Sequence, residues 1–143
     1  MREILFRGKR CDNGEWVEGY YARKGVDKDT FKHFICVMTF NVNGNTYSSM
    51  FYLTDIEVIP ETVGQYTGLT DKNGIKIFDG DIIQDSNYPE YVFRIEYHNG
   101  TIIASEIHTF DKVYLDNFIC FNIFEAFVIG NIHDNPELLE GKA

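Results

Sequence analysis

The side chains that could do chemistry gather in the middle of the chain, where Asp79 and Asp81 flank Gly80 and are bracketed by Asp71 and Asp85. Paired carboxylates can hold a cation, or split their pKa values and serve as general acid and base. The same Asp-Gly-Asp spelling is turn vocabulary, in which a carboxylate accepts the amides just ahead of it, and that structural role is the expectation for these residues. A twelve-residue calcium loop does not fit, because Asp71-Lys72-Asn73-Gly74 places its glycine too early and brings no closing glutamate. His33, His98, His108 and His133 are scattered, so a metal triad would have to be assembled wholly by the fold. His98 and His108 lie on the two arms of one expected hairpin without facing each other. A nucleophile would be Cys11 or a serine beside one of these histidines, yet neither a G-x-S-x-G elbow nor a cysteine-protease signature occurs. The reading is a chain with no catalytic residue, no metal ligand set and no cofactor, and so a non-enzyme.

Other groups could bind without reacting. Phe6-Arg7-Gly8-Lys9-Arg10 is a basic cluster in an acidic chain, and Arg7, Lys9 and Arg10 with the single tryptophan, Trp16, make a candidate interaction patch. Such a patch could meet phosphate or an acidic protein surface, including that of a second copy; the blander reading is a solvated strand end. Nine tyrosines could form a recognition surface, although most are expected in the core or with wet hydroxyls. With 22 acidic against 13 basic residues the formal charge is −9, which steers the chain away from nucleic-acid backbones and anionic lipid. The expected partner is therefore a protein, and a homo-oligomer is part of that expectation.

These residues must be positioned by strands. Twelve phenylalanines and nine tyrosines suit pleated, half-buried surfaces, and short apolar runs alternate with Gly and Asn turns at close spacing, which predicts an all-β chain with at most one or two short helices. At 143 residues the chain matches one domain, able to bury roughly 68% of its unfolded surface. The opening MREILFRGKR closes at Asp12-Asn13-Gly14 and returns as Glu15 to Tyr21; Lys24 to Lys28 reads as a loop. Phe34 to Met38 is a strand, Asn43-Gly44-Asn45 a turn, and Thr46 to Thr54 the answering strand, with Ile56 to Ile59 a separate short one that Pro60 stops. Tyr91 to Tyr97, the Asn99-Gly100 turn and Thr101 to His108 form a hairpin. Tyr114 to Phe124 fits neither period and could be a short helix or an irregular strand. Ala126 to Ile132 is a last strand, followed by a helical turn capped by Asn135 with Pro136 first.

The centre of this organisation is Val63 to Ile83, VGQYTGLTDKNGIKIFDGDII, which reads as a strand at Gly64 to Tyr66, a turn at Thr70 to Gly74, a return at Ile75 to Phe78 and a kink at Gly80. Its glycines fit neither the Walker spacing nor a dinucleotide fingerprint. Gly64, Tyr66, Gly68, Asn73, Gly74, Gly80 and Asp81 are instead the candidate turn and signature residues. Cys11, Cys36 and Cys120 are odd in number and widely spaced, which suggests free thiols in a reducing cytoplasm. Met1 leads into charged residues without the apolar core of a signal peptide, and no apolar run approaches the ~20 residues needed to span a bilayer.

Taken together, ILFRGKRCDNGEWVEGY, VGQYTGLTDKNGIKIFDGDII and FVIGNIHDNPELL resemble, in this order and at these distances, the YopX-like family of small phage and prophage proteins. The three anchors cover about a third of the chain. The resemblance implies a phage-encoded or prophage-encoded bacterial cytoplasmic protein, mainly β, with an SH3-like small barrel from the central stretch to the end. It carries over no catalytic residue, substrate or cofactor. The expected division is an N-terminal β-meander over residues 1–62 and a small barrel over 63–143, the two forming either separate lobes or one continuous domain. The leading function is a protein-binding or assembly module. The alternatives are an acidic decoy that imitates nucleic acid and blocks a host DNA-binding enzyme, and a hydrolase or metal enzyme centred on Asp79, Asp81 and a histidine.

Overall fold

Aromatic and β-branched residues fit the pleat of a sheet, and in the structure, a computed structural model, they form eleven strands among the described residues. The residues described are 4–42, 49–98, 100–107, 112–114 and 125–140, and among them there is no α-helix and no helix long and apolar enough to cross a membrane. The chain divides into two compact units, Ile4–Gly64 and the residues from Gln65 onward.

In the first unit β1 (Phe6–Lys9), β2 (Trp16–Gly25), β3 (Phe31–Val42) and β4 (Ser49–Glu57) run as an antiparallel meander. Phe6 pairs with Gly19 and Lys9 with Trp16, so the opening hairpin forms as its turn residues predict. Directly opposed residues share a face, which puts Tyr21, Ile35 and Ile56 in one row; Ile35 is wholly buried, as is Val58 just beyond β4. Two boundaries differ from expectation. β2 continues through Lys24 to Gly25, because Lys24 pairs with Lys32 and Gly25 with Phe31, so the loop shrinks to residues 26–30. Ile56 and Glu57 extend β4 and do not start a new strand, since Thr54 and Asp55 keep the ladder unbroken against Val37 and Cys36. Pro60 then opens a 3-10 turn, Pro60–Thr62. The Asn43-Gly44-Asn45 turn lies outside the described residues.

The second unit contains β5 (Gly64–Thr70, which begins on the last residue of the first unit), β6 (Lys76–Phe78), β7 (Asp81–Asp85), β8 (Val92–His98), β9 (Thr101–Glu106), β10 (Lys112–Tyr114) and β11 (Ala126–Asn131). β5 and β6 pair as a hairpin whose register shifts between Tyr66 and Thr70. The other five strands form an antiparallel sheet in the order β10-β9-β8-β7-β11. Ile83, Phe93, Ile95, Ile102, Ala104 and Ala126 line its buried core together with Ile77 of β6, and each fully buried isoleucine contributes about 1.5–3 kcal/mol relative to exposure. The β8–β9 hairpin has the predicted register, with Gly100 at φ +79°. The all-β architecture is as expected; among the described residues β10 and β11 are edges and the sheet does not close, so the small barrel that the family resemblance implied is not confirmed. Of the ambiguous Tyr114 to Phe124 stretch, only Tyr114 falls within the described residues, at the end of β10.

Candidate functional site

The central stretch is a set of amide acceptors. Asp71 is buried, and its Oδ1 accepts the amides of Asn73 at 2.8 Å and Ile75 at 2.9 Å, which closes the turn carrying Gly74 at φ +80°. Its other oxygen, Oδ2, accepts the amide of Val128 on β11 at 2.9 Å. Asp81, fully buried, accepts the Phe78 amide at 2.7 Å across the Gly80 kink, where φ is +92°. Asp71 thus takes amides ahead of it, as expected of the acidic cluster, whereas Asp81 takes one from three residues before it. Gly68, at φ +85°, sits in the β5–β6 register shift, where the Thr67 hydroxyl donates to the Ile77 carbonyl at 2.7 Å. Tyr66 is buried opposite Phe78, ring to ring at 5.6 Å. Gly64 is also buried, at the head of β5, and Asn73 is exposed in the turn.

One histidine comes to this turn: a Cβ built at Gly80 would lie 3.8 Å from His133 Nε2. Even so, among the described residues no group of three or more His, Cys, Asp or Glu is arranged to hold a metal ion. His33 is elsewhere, hydrogen-bonded to the Tyr21 hydroxyl and stacked on its ring.

The basic patch is split by strand alternation. Arg7 and Lys9, two apart on β1, share a face with Trp16, and their charged ends stand 4.5 Å and 5.5 Å from its ring centroid. Arg10 does not join them. It forms a single bridge to Val58 and grips Asp12 through two hydrogen bonds of 2.9 and 2.7 Å. That pair raises the Arg10 pKa and lowers that of Asp12. On the same face as Trp16, Lys24 pairs with Asp55 and stands 5.0 Å over the Phe34 ring. Cys36 also bonds to Asp55; desolvation first, then this carboxylate, raises its thiol pKa. Cys11 is exposed, its thiol likewise pushed up by desolvation and then by Glu57 and Asp12. Thiols held protonated are poor nucleophiles, so neither cysteine is set up for attack. The hollow beside Cys11, about 390 Å³, is lined largely by the charged groups Arg10, Asp12, Asp55 and Glu57.

A second hollow, which the sequence reading did not anticipate, lies wholly in the second unit. It has a volume of about 260 Å³; Val92, Ile107, Ile129 and Leu138 line it beside Gln84, and Glu137 and Glu140 are at its edge. The FVIGNIHDNPELL segment builds its wall. Residue 129 is the extra residue of a β-bulge, since Val128 pairs with Ile83 and Gly130 already with Ile82. Asn131 is nearly buried, and its Oδ1 accepts the amides of His133 and Asp134 at 3.0 and 2.9 Å, turning the chain back. Asn135 does not cap the following turn, Pro136–Leu139, with its side chain as expected. Its Oδ1 points back at the strand and accepts the Asn131 amide at 3.2 Å, over the space that Gly130 leaves by lacking a Cβ. The only sequence signal for this hollow was the segment itself, since the bulge depends on partners in β7, whereas the back-turn is closed by bonds within residues 131–135.

The fold is similar to that in the crystal structure of protein EF1440 from Enterococcus faecalis, with 24% sequence identity, a TM-score of 0.61, and coverage of 97% of this chain and 99% of that one. No curated protein matches. The three anchor segments that supply the opening hairpin, the Asp71 and Gly80 turns and the groove wall lie, but for Ile4, within residues 5–140, over which the family model described as YopX protein matches, and the chain belongs to that family.

Proposed function

We propose that the chain is a non-enzymatic protein-binding or assembly module, encoded by a phage or prophage and working in the bacterial cytoplasm. The observation that carries the reading is the groove of Val92, Ile107, Ile129 and Leu138 with Glu137 and Glu140 at its edge. Interface energy concentrates where a few side chains fill an apolar hollow, while charges at the edge choose the partner and its register. A volume of about 260 Å³ lies below the ~300–1,000 Å³ of small-molecule sites and suits one or two side chains of another protein. Phage origin is supported by family membership. A photo-reactive amino acid in place of the exposed Glu140 should capture a discrete protein in bacterial cells, and adding Leu138→Arg should abolish capture without moving the thermal melt. Capture that survives Leu138→Arg, or no capture at all, would remove the groove from this reading.

The acidic-decoy reading is favoured by one observation, the placement of charge. Residues 65–143 carry thirteen acidic and five basic residues, against eight and seven in residues 4–64. Competition of the purified protein with duplex DNA for a host DNA-binding enzyme would decide it: displacement supports the decoy, and unaltered DNA binding removes it.

A further inference from the structure

The tip of the β2–β3 hairpin has the chemistry that the groove lacks. Its turn is pre-formed, since the Val26 amide donates to the Thr30 carbonyl at 2.8 Å and Asp27 Oδ1 accepts the amides of Asp29 and Thr30, each at 3.1 Å. Those bonds to the carboxylate lower the Asp27 pKa. Two apolar side chains are thereby displayed to solvent, Val26 at 57% exposure and Phe31 at 46%. The Arg23 guanidinium stands 4.6 Å over the Phe31 ring. Residues 23–32 carry Arg23, Lys24, Lys28 and Lys32 against Asp27 and Asp29, so the tip is positive by two even though the chain is at −9. Lys24 is engaged with Asp55, and Lys32 stands 3.9 Å from Glu57, so Arg23 and Lys28 are the cations of the tip that remain for a partner.

We propose that this tip seats in the groove of a second copy of the chain, Val26 and Phe31 entering between Val92, Ile107, Ile129 and Leu138, and Arg23 and Lys28 meeting Glu137 and Glu140. The inference rests on the groove being a protein-binding site and names its occupant. Three observations favour a second copy. The knob and the hollow are both largely apolar, and the hollow's volume of about 260 Å³ suits one or two side chains. Their flanking charges are opposite. The tip belongs to the unit near neutrality and the groove to the unit that carries most of the negative charge. Because tip and groove are different surfaces, the contact is head-to-tail: each copy offers one of each, and association continues until a ring closes or a chain of copies grows. Pre-formed hydrogen bonds at the tip reduce the ordering cost of docking.

The full-length chain tests this directly. At rising concentration and low salt it should sediment above its monomer mass of 16.6 kDa. A tip variant, Val26→Asp with Phe31→Asp, and a groove variant, Glu137→Lys with Glu140→Lys, should each remain monomeric. Mixed in equal amounts they should form a 1:1 pair and stop there, because one retains only a groove and the other only a tip. In the unmodified chain, a zero-length carbodiimide cross-link between Lys28 and Glu137 or Glu140 should join a ¹⁵N-labelled copy to an unlabelled one. This last readout needs no variant to fold. A chain that stays at 16.6 kDa at every concentration, variants that still associate, or cross-links that never join labelled to unlabelled copies would overturn the proposal. If in that case Leu138-dependent photo-capture of another protein persists, the groove stands as a binding site and only its occupant falls; if capture fails too, both fall.

Discussion

Asp71 shows how one side chain can organise distant backbone. A carboxylate accepting several amides satisfies donors that would otherwise be stranded, and hydrogen bonds to a charged group are worth about 1.5–3 kcal/mol each. Here two of the donors close the Asn73-Gly74 turn and the third belongs to Val128, so the residue ties that turn to the edge strand β11. Asp71→Ala should lower stability by about 2–3 kcal/mol in denaturant titration, with the largest loss of hydrogen-exchange protection at the Val128 amide; a change below about 0.5 kcal/mol would show that water replaces the carboxylate freely. The local half of this arrangement was legible in Asp-Lys-Asn-Gly as turn vocabulary. The contact with Val128 was not, because it spans 57 positions and leaves no local periodicity. Asp55 gives the residue-scale pH dependence. Its pKa is lowered by hydrogen bonds from Lys24 and then from Cys36, so its stabilisation is present above the ordinary carboxylate value of about 3.9 and is lost as pH falls through the depressed one. Wild type and Asp55→Asn should differ in unfolding midpoint near neutrality and converge as pH falls through the depressed value; a gap that is constant with pH would exclude Asp55 as the titrating group.

At the scale of elements, β11 and the turn after it are where local reading and tertiary packing part company. Asn135-Pro136 has the spelling of a cap followed by a first helical residue, and Pro136 does open a 3-10 turn. The Asn135 side chain, however, does more for the fold by bonding back to Asn131 than by capping four residues of weak helix. Gly130 is the counterpart of that choice. A Cβ there would run into Asn135 Oδ1 and lie 3.1 Å from Leu138 Cδ1. Gly130→Ala should therefore cost about 1–3 kcal/mol, the usual penalty of overpacking. It should also accelerate exchange at the Asn131 amide and weaken groove binding more than Gly74→Ala, whose Cβ would meet nothing within 4 Å. Equal effects of the two substitutions on binding would mean that the wall does not shape the groove. The strands themselves were legible because alternation and Asn-Gly turns act locally. Strand ends were less so: Lys24 and Gly25 look like loop residues, yet they extend β2 because Lys32 and Phe31 pair with them. The split of Arg10 from Arg7, Lys9 and Trp16 follows in the same way from register, which the weak alternation of the opening segment left open.

At the scale of the whole molecule, net charge was read correctly as −9 but its placement needed the structure, because only the division at Gly64 and Gln65 shows that the two units differ so much in charge. Like charges gathered in one unit repel, and that repulsion destabilises the compact state, whereas attraction between the positive hairpin tip and the acidic edge of the groove favours association. Both are surface effects, and raising the ionic strength from about 0.01 M to 0.15 M shortens the screening length from about 30 Å to about 8 Å. Salt should therefore act in opposite directions on two measurements of one sample. Exchange protection in β7, β8 and β9, the centre of the acidic unit, should rise as repulsion is screened, while the sedimenting mass should fall as copies separate. Sodium chloride and potassium chloride should agree, since screening depends on ionic strength and not on a bound ion. If protection and mass instead rise or fall together, stability of the acidic unit is coupled to assembly, and the groove is then a place where a second copy completes the core.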